Sequence, residues 1–256
     1  MNTQIKNKTP LVTAQKMLEY KREFGHVGDL RAPETALVCY QRSTMDWLRK
    51  EHSKEIVPFP GVSHFFLLPG GKAGILGDWG VGAPGLAIKM EELIALGTKR
   101  FVAIGTAGAL GGCHSIASYV LCPKALAEDG VAHHYLPEGK SVAEASPELL
   151  EEWKAFAKRR ALPEMSDATA WSFSAFFRET AEDVLRVSSL GCSVVEMEAA
   201  TLYAIAEEKN VQAISLFVIS DSISEEGWTP RLREPATRNH LHLLANWALE
   251  FCMENK

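Results

Sequence analysis

The 256-residue sequence has no cysteine pair at metal or redox spacing, no long apolar run and no surplus of positive charge. Each absence removes a class of function. Its five cysteines, Cys39, Cys113, Cys122, Cys192 and Cys252, are odd in number and scattered. That excludes a disulfide framework or a CxxC zinc site and suits a reducing compartment. No stretch reaches the roughly 18 apolar residues of a membrane helix. The opening "MNTQIKNKTPLVTAQKM" has no apolar core of signal-peptide length. The expectation is a cytoplasmic protein that engages no membrane. A formal net charge of −5 gives no electrostatic reason to bind nucleic acid. With 46% hydrophobic and 23% charged residues, the chain can build one sizeable core, and a single domain over residues 1–256 is expected.

What is present is an alternation of short β-branched runs with helical stretches. Strands are expected at Glu34–Tyr40, His64–Gly70, Lys72–Asp78, Arg100–Gly108, Ser118–Lys124 and Ala213–Ser222. Helices are expected at Gly82–Gly97, at Ser146–Ala161 behind an N-cap serine and a first-turn proline, at Val194–Asn210, and at Arg238–Asn255. The fold class this implies is α/β, a single domain with a central mixed, largely parallel β-sheet flanked by helices.

In such sheets ligands collect at the carboxyl ends of the strands. Three loops there carry information. "GDWGVGAP" (Gly77–Pro84) is glycine-rich and runs straight into a helix, either as a plain tight turn or as a binding loop. "AIGTAGALGG" (Ala103–Gly112) brings small residues and the Thr106 hydroxyl to a strand end, where backbone N–H groups can approach a ligand closely. It carries neither GxGxxG nor a P-loop lysine. "FVISDSISEEGW" (Phe217–Trp228) presents Asp221 where a hydrophobic strand ends, as a turn cap or as a proton donor.

The stretch "VVEMEAATLYAIAEEKN" (Val194–Asn210) poses a sharper question, because an apolar helix opens on two carboxylates, Glu196 and Glu198. Buried carboxylates are costly unless paired or hydrogen-bonded, and a helix N-terminus offsets only about 0.3–1 kcal/mol each. Either both are solvent-facing dipole partners, or at least one accepts hydrogen bonds from ligand hydroxyls. A vicinal diol such as that of ribose offers two donors to two carboxylate oxygens. The adjacent His133 and His134 have no carboxylate or cysteine at ligand spacing, and no metal is expected.

"VVEMEAATLYAIAEE" resembles the signature helix of the nucleoside phosphorylase family, which groups purine nucleoside phosphorylases, uridine phosphorylases and methylthioadenosine nucleosidases. "GVGAP", "IGTAGAL" and "VISDS" fall in the family's order. "EDGVAHHYLPEG" (Glu128–Gly139) and "WSFSAFFRETAEDV" (Trp171–Val184) resemble its uridine-phosphorylase-like branch. The resemblance runs from about Leu37 to the C-terminus. It implies cleavage of a nucleoside's N-glycosidic bond, with phosphorolysis to free base and ribose 1-phosphate expected first. Inorganic phosphate would be the co-substrate, with no cofactor, and a homo-oligomer is implied. Carried over, Met197 and Glu198 would bind the ribose with Glu196 close by, and Phe176 would pack on the base. Asp221 would protonate a purine nitrogen. Thr106, Ala107 and Gly108 would hold the phosphate or an attacking water.

The departures point the other way on the acceptor. The family's arginine two residues before the central glycine is here Ala103, and the Gly-Asp-Pro-x-x-Arg turn is replaced by "CYQRSTMDW" (Cys39–Trp47). Arg42 and Arg178 are the expected substitutes at the phosphate. Without such arginines a dianion loses its bidentate, charge-assisted contacts. A nucleosidase using water, or a silent nucleoside-binding relative, therefore stand as the alternatives.

Overall fold

The computed structural model describes residues 9–52 and 56–254. Among them the strands are β1 (Thr35–Cys39), β2 (Val57–Pro58), β3 (Phe65–Leu67), β4 (Ala73–Leu76), β5 (Arg100–Leu110), β6 (Tyr119–Glu128), β7 (Val142–Glu144), β8 (Ser166–Phe173), β9 (Val194–Glu196), β10 (Gln212–Ser224) and β11 (Gly227–Pro230). The helices are α1 (Ala14–Glu23), α2 (Arg42–Glu51), α3 (Ala83–Ala95), α4 (Pro147–Arg159), α5 (Ala181–Ser189), α6 (Ala199–Lys209) and α7 (Pro235–Met253).

β4, β1, β5 and β10 form a parallel centre, with Leu37 of β1 beside Ile75 and Val102, and Ile214 of β10 also beside Val102. Every residue of β1 is buried, as expected for a strand covered on both faces. From β5 the sheet also closes on itself: β5 pairs β10, β10 pairs β6, β6 pairs β8, β8 pairs β9, and β9 returns to β5. On the other side the sheet extends through β4 to antiparallel β3 and β2. α7 lies against β1, β5 and β10, while α6 packs against α3, β6 and β10. In α6 the run Ala199–Ala206 is buried throughout, which accounts for its nearly all-round apolarity.

The expected helix over Val194–Asn210 is corrected by this closure. Val194–Glu196 is a strand, and the helix starts only at Ala199. Val194 pairs with Ala109 of β5 on one side and Ala170 of β8 on the other. A short apolar run fits either periodicity; here it supplies the strand that joins β8 to β5. Glu196 and Glu198 therefore do not share one helix's stripes. Smaller differences follow tertiary pairing too. β6 continues past Lys124 to Glu128 because β8 and β7 pair with its second half. The strand expected over His64–Gly70 shrinks to Phe65–Leu67 ahead of a turn in which Gly70 has φ 74°. Ser146 stands at the N-cap of α4, but its hydroxyl accepts from the Ala213 N–H instead of capping. α7 begins at Pro235, before the expected Arg238, and the expected last residue, Asn255, lies outside the described residues. Among the described residues no helix is long and apolar enough to cross a membrane.

Candidate active site

The carboxyl end of β1, the second half of β5 and the middle of β10 meet the β9–α6 junction around one pocket of about 130 Å³. Of the expected site residues, Thr106, Ala107, Gly108, Phe176, Glu196, Met197, Glu198 and Asp221 all line it. Arg42 and Arg178 do not. The Arg42 side chain is 86% exposed and faces Asp46 at 4.0 Å, and Arg178 is exposed at the end of a 3₁₀ turn. The pocket is smaller than the roughly 300–1,000 Å³ of most ligand sites. The half-exposed rings of Phe176 and Trp228, 6.0 Å apart edge to face, stand at its Asp221 side.

Glu196 is spent on architecture. Its Oε2 accepts from the N–H groups of Glu198 and Ala199, each at 2.7 Å, so it caps the first turn of α6. Its Oε1 accepts from the Ser172 hydroxyl, which in turn accepts from the Ala200 N–H at 2.9 Å. A third carboxylate supports the same helix: Asp129 accepts from Thr201 N–H and Oγ1 (3.1 and 2.6 Å) and from the N–H groups of Val131 and Ala132. The segment "EDGVAHH" is thus pinned to α6 by its aspartate, and its histidines lie exposed on a short 3₁₀ turn.

Glu198 is placed differently. It is buried at the N-cap of α6 without capping it, and its Oε1 accepts from the Gly82 N–H. Gly82 has φ 101°, a conformation open to glycine, which turns its N–H toward Glu198 just before α3. This is the role of "GVGAP": one backbone donor aimed at a buried carboxylate. Glu198 also lines the pocket. Burial pushes both Glu196 and Glu198 above the ordinary carboxylate range, with the charge of Glu196 adding to the rise at Glu198 and that of Asp129 adding at both.

At the opposite side β10 carries a register shift between Ile219 and Asp221 against β5. Such a bulge re-aims a side chain, and here it turns Asp221 onto Gly108. A Cβ at Gly108 would lie 3.0 Å from Asp221 Oδ2 and 3.1 Å from Val195 Cγ1, so glycine is what permits the approach. Asp221 Oδ1 accepts from Ser220 Oγ at 2.6 Å and Oδ2 from the Trp228 indole at 2.8 Å. Nearby Glu179 also borders the pocket, with Oε2 buried and lacking a partner. Burial, and then the charge of Asp221, push its carboxyl up to about 7.

Between these ends, Gln41 leaves β1 and stands at the N-cap of α2, yet its side chain makes no capping bond. Its Nε2 instead donates to Thr106 Oγ1 at 3.1 Å. The pocket lining thus holds four carboxylates, and among the described residues it holds no lysine, arginine or histidine. Gln41, Tyr40, Ser172, Glu179, Ser220 and Trp228 escaped the sequence reading. The rule that ligands gather at strand carboxyl ends pointed at Tyr40–Gln41, and Ser220 adjoins Asp221; Ser172, Glu179 and Trp228 gave no local signal. Two larger, shallower grooves of about 670 and 710 Å³ lie elsewhere. In the first, Lys99 pairs with Glu34, Arg100 with Glu152 and Lys140 with Glu207, which leaves ion pairs and no reactive constellation.

A profile described as the Phosphorylase superfamily matches residues 58–247 of the chain. Among curated proteins, the chain is 30% identical over 145 residues to "Purine nucleoside phosphorylase DeoD-type" of Streptococcus pneumoniae (strain CGSP14). That match covers 56% of this chain and 61% of the relative, so the chain spans about three fifths of the length of the curated relative it matches. The fold is shared with purine nucleoside phosphorylase from Toxoplasma gondii in complex with immucillin-H, at TM-score 0.75 and 17% identity over 88% of this chain and 92% of that one. It is shared too with a futalosine hydrolase mutant of Helicobacter pylori strain 26695, at TM-score 0.67 and 16% identity over 86% of this chain and 98% of that one.

Proposed function

The chain belongs to the phosphorylase superfamily, and from that premise we propose that its pocket cleaves the N-glycosidic bond of a nucleoside. The observation that carries the reading is the pair of buried carboxylates facing one cavity from unrelated elements: Glu198 at the start of α6 and Asp221 on the bulge of β10. Glu198, steadied by the Gly82 N–H, accepts from the sugar's 2′ and 3′ hydroxyls, with Met197 against the ribose. Asp221 delivers a proton to the departing base, which would otherwise leave as an anion. Phe176, beside Asp221, packs on the base, and the free Oε2 of Glu179 gives the base a second acceptor for an N–H. These groups suit a purine: a general acid at one ring nitrogen and an acceptor beside it.

The transition state resembles an oxocarbenium ion, and carboxylates around a developing cation stabilise it electrostatically. The curated relative's name brings phosphate as one acceptor, held at Thr106, Ala107 and Gly108; water is the other. The exposed Val81, Phe177 and Leu232 near the pocket support a homo-oligomer as part of the same proposal. The test is base release from inosine, adenosine and uridine, followed chromatographically in phosphate buffer. Release from the purine nucleosides is expected; uridine as the preferred substrate would remove the purine assignment, and release from none would remove the activity.

A further inference from the structure

We propose that the acceptor in this pocket is water, held between Gln41 and Thr106, and that the pocket turns phosphate away. The inference rests on the glycosidic-cleavage reading and assigns its missing reactant. It comes from two observations that do not depend on each other.

The first is charge. Glu179, Glu196, Glu198 and Asp221 line the pocket, and among the described lining residues nothing cationic answers them. A phosphate dianion is bound well where arginine or lysine meets it with charge-assisted hydrogen bonds. Here it would meet backbone amides, hydroxyls and the N-terminal end of α2 while facing four acids. The N–H groups at the starts of α3 and α6 nearest the pocket are already taken by Glu198 and Glu196. A neutral nucleophile suffers none of this repulsion, and the same carboxylates favour the cationic sugar it attacks.

The second is the hydrogen-bond ledger at the end of β1. Gln41 Nε2 is held by Thr106 Oγ1, while Gln41 Oε1 is buried without a partner. The hydroxyl of Tyr40, a residue only 5% exposed, is also buried without a partner. Buried polar groups are satisfied by protein or by ordered water. Because Thr106 Oγ1 already accepts from Gln41, its own proton is free to donate into the pocket. Water matches this set: it donates to Gln41 Oε1 and accepts from Thr106, and Tyr40 can do either. Hydrogen phosphate has one O–H to give to Gln41 Oε1, and its other oxygens must still be met by donors while facing the carboxylates. Burial and the charges of Glu198 and Glu196 hold the Tyr40 phenol neutral, so it orients rather than takes a proton.

The step balances without another reactant. The C1′–N bond breaks with its electron pair leaving on the base, and Asp221 protonates the base. The water oxygen forms the C1′–O bond, and the proton that water loses returns through solvent at the pocket mouth to Asp221. Nucleoside plus water gives free base plus free sugar.

The experiment measures base release and sugar product with the purified full chain, in phosphate-free buffer and with excess inorganic phosphate. The expected result is equal base release in both, free reducing sugar, and no sugar 1-phosphate. Base release only with phosphate, with sugar 1-phosphate as product, overturns the water assignment and leaves the glycosidic-cleavage reading standing. No base release in either condition overturns both. Gln41→Met keeps the volume and removes the amide; with water held by Gln41, kcat falls roughly 10- to 100-fold while KM for the nucleoside stays within about threefold. A folded Gln41→Met protein, judged by an unchanged thermal midpoint, with parental kcat overturns the role of Gln41. Gln41→Glu, which keeps an acceptor facing the water, provides the check if the methionine variant does not fold: substantial activity is expected, and its loss counts against the assignment.

Discussion

Replacing Glu198 by glutamine should separate what this carboxylate does for the reaction from what it costs the fold. Its Oε1 accepts from the Gly82 N–H, and an amide oxygen can keep that bond. What the amide cannot do is present a second acceptor: the pocket-facing oxygen becomes an NH₂ donor against a sugar hydroxyl. A hydrogen bond to a charged group contributes about 1.5–3 kcal/mol and one between neutral groups about 0.5–1.5. Losing the charge on one bond and the acceptor on the other removes about 2–4 kcal/mol of transition-state binding, or roughly 30- to 900-fold in kcat/KM. Stability should move the other way. Burial and the neighbouring Glu196 hold the Glu198 pKa above its unfolded value, so folding retains a proton that the unfolded chain gives up as pH rises. The parent therefore loses stability from the ordinary carboxylate range upward, and a glutamine, which does not titrate, avoids that loss. Relative to the parent, Glu198→Gln should melt alike at pH 4 and higher at pH 8. Steady-state kinetics and calorimetry at the two pH values decide it. Near-parental kcat/KM would refute the ribose contact, and a variant less stable than the parent at pH 8 would refute the burial argument.

Other expectations follow from the same contacts. Asp221→Asn should slow purine nucleoside cleavage by about 10²–10⁴-fold, with a smaller loss on a substrate whose leaving group needs no proton; equal rates for variant and parent on inosine would end the acid role. Ser172→Ala leaves the Ala200 N–H and one Glu196 oxygen without their hydroxyl partner. It should cost about 1–3 kcal/mol in urea unfolding, and an unchanged midpoint would show that Glu196 does not need this support. Glu179, with its carboxyl pushed up to about 7, loses its O–H and becomes a charged acceptor on both oxygens as pH rises through that value. Activity on a base presenting an N–H should therefore rise through about pH 7, and Glu179→Gln should remove that inflection from the kcat/KM profile. Because the folded value is raised, the parent also loses stability from the ordinary carboxylate range up to about pH 7, and the Gln variant should gain on it there.

Much of this protein was written locally. The parallel strands β1, β4, β5 and β10 are runs of apolar, β-branched residues bounded by glycine and polar turns, and a strand buried on both faces needs little more than such a run. The signature stretches were legible because each performs a task its own residues define: "GVGAP" offers a glycine N–H, "IGTAGAL" a backbone without side chains in the way, and "EMEAA" a carboxylate at a helix start. Their order in the sequence resembled one family.

What the sequence alone could not decide was which groups would meet. Glu198 and Gly82 are 116 residues apart, Gln41 and Thr106 are 65 apart, and Ser172 and Glu196 are 24 apart. The two carboxylates of "VVEMEAA" looked alike as text. Tertiary pairing made Val194–Glu196 a strand between β8 and β5 and gave Glu196 three donors that tie it to the start of α6, while Glu198 accepts from the Gly82 N–H and borders the pocket. Arg42 and Arg178 had the right charge, but the start of α2 and the 3₁₀ turn that carry them leave both exposed and outside the pocket lining. Local sequence sets the conformations a segment can adopt. The hydrogen-bond partners of a buried polar group come from whichever distant segment the sheet brings beside it, and burial then fixes that choice because an unpaired group costs too much.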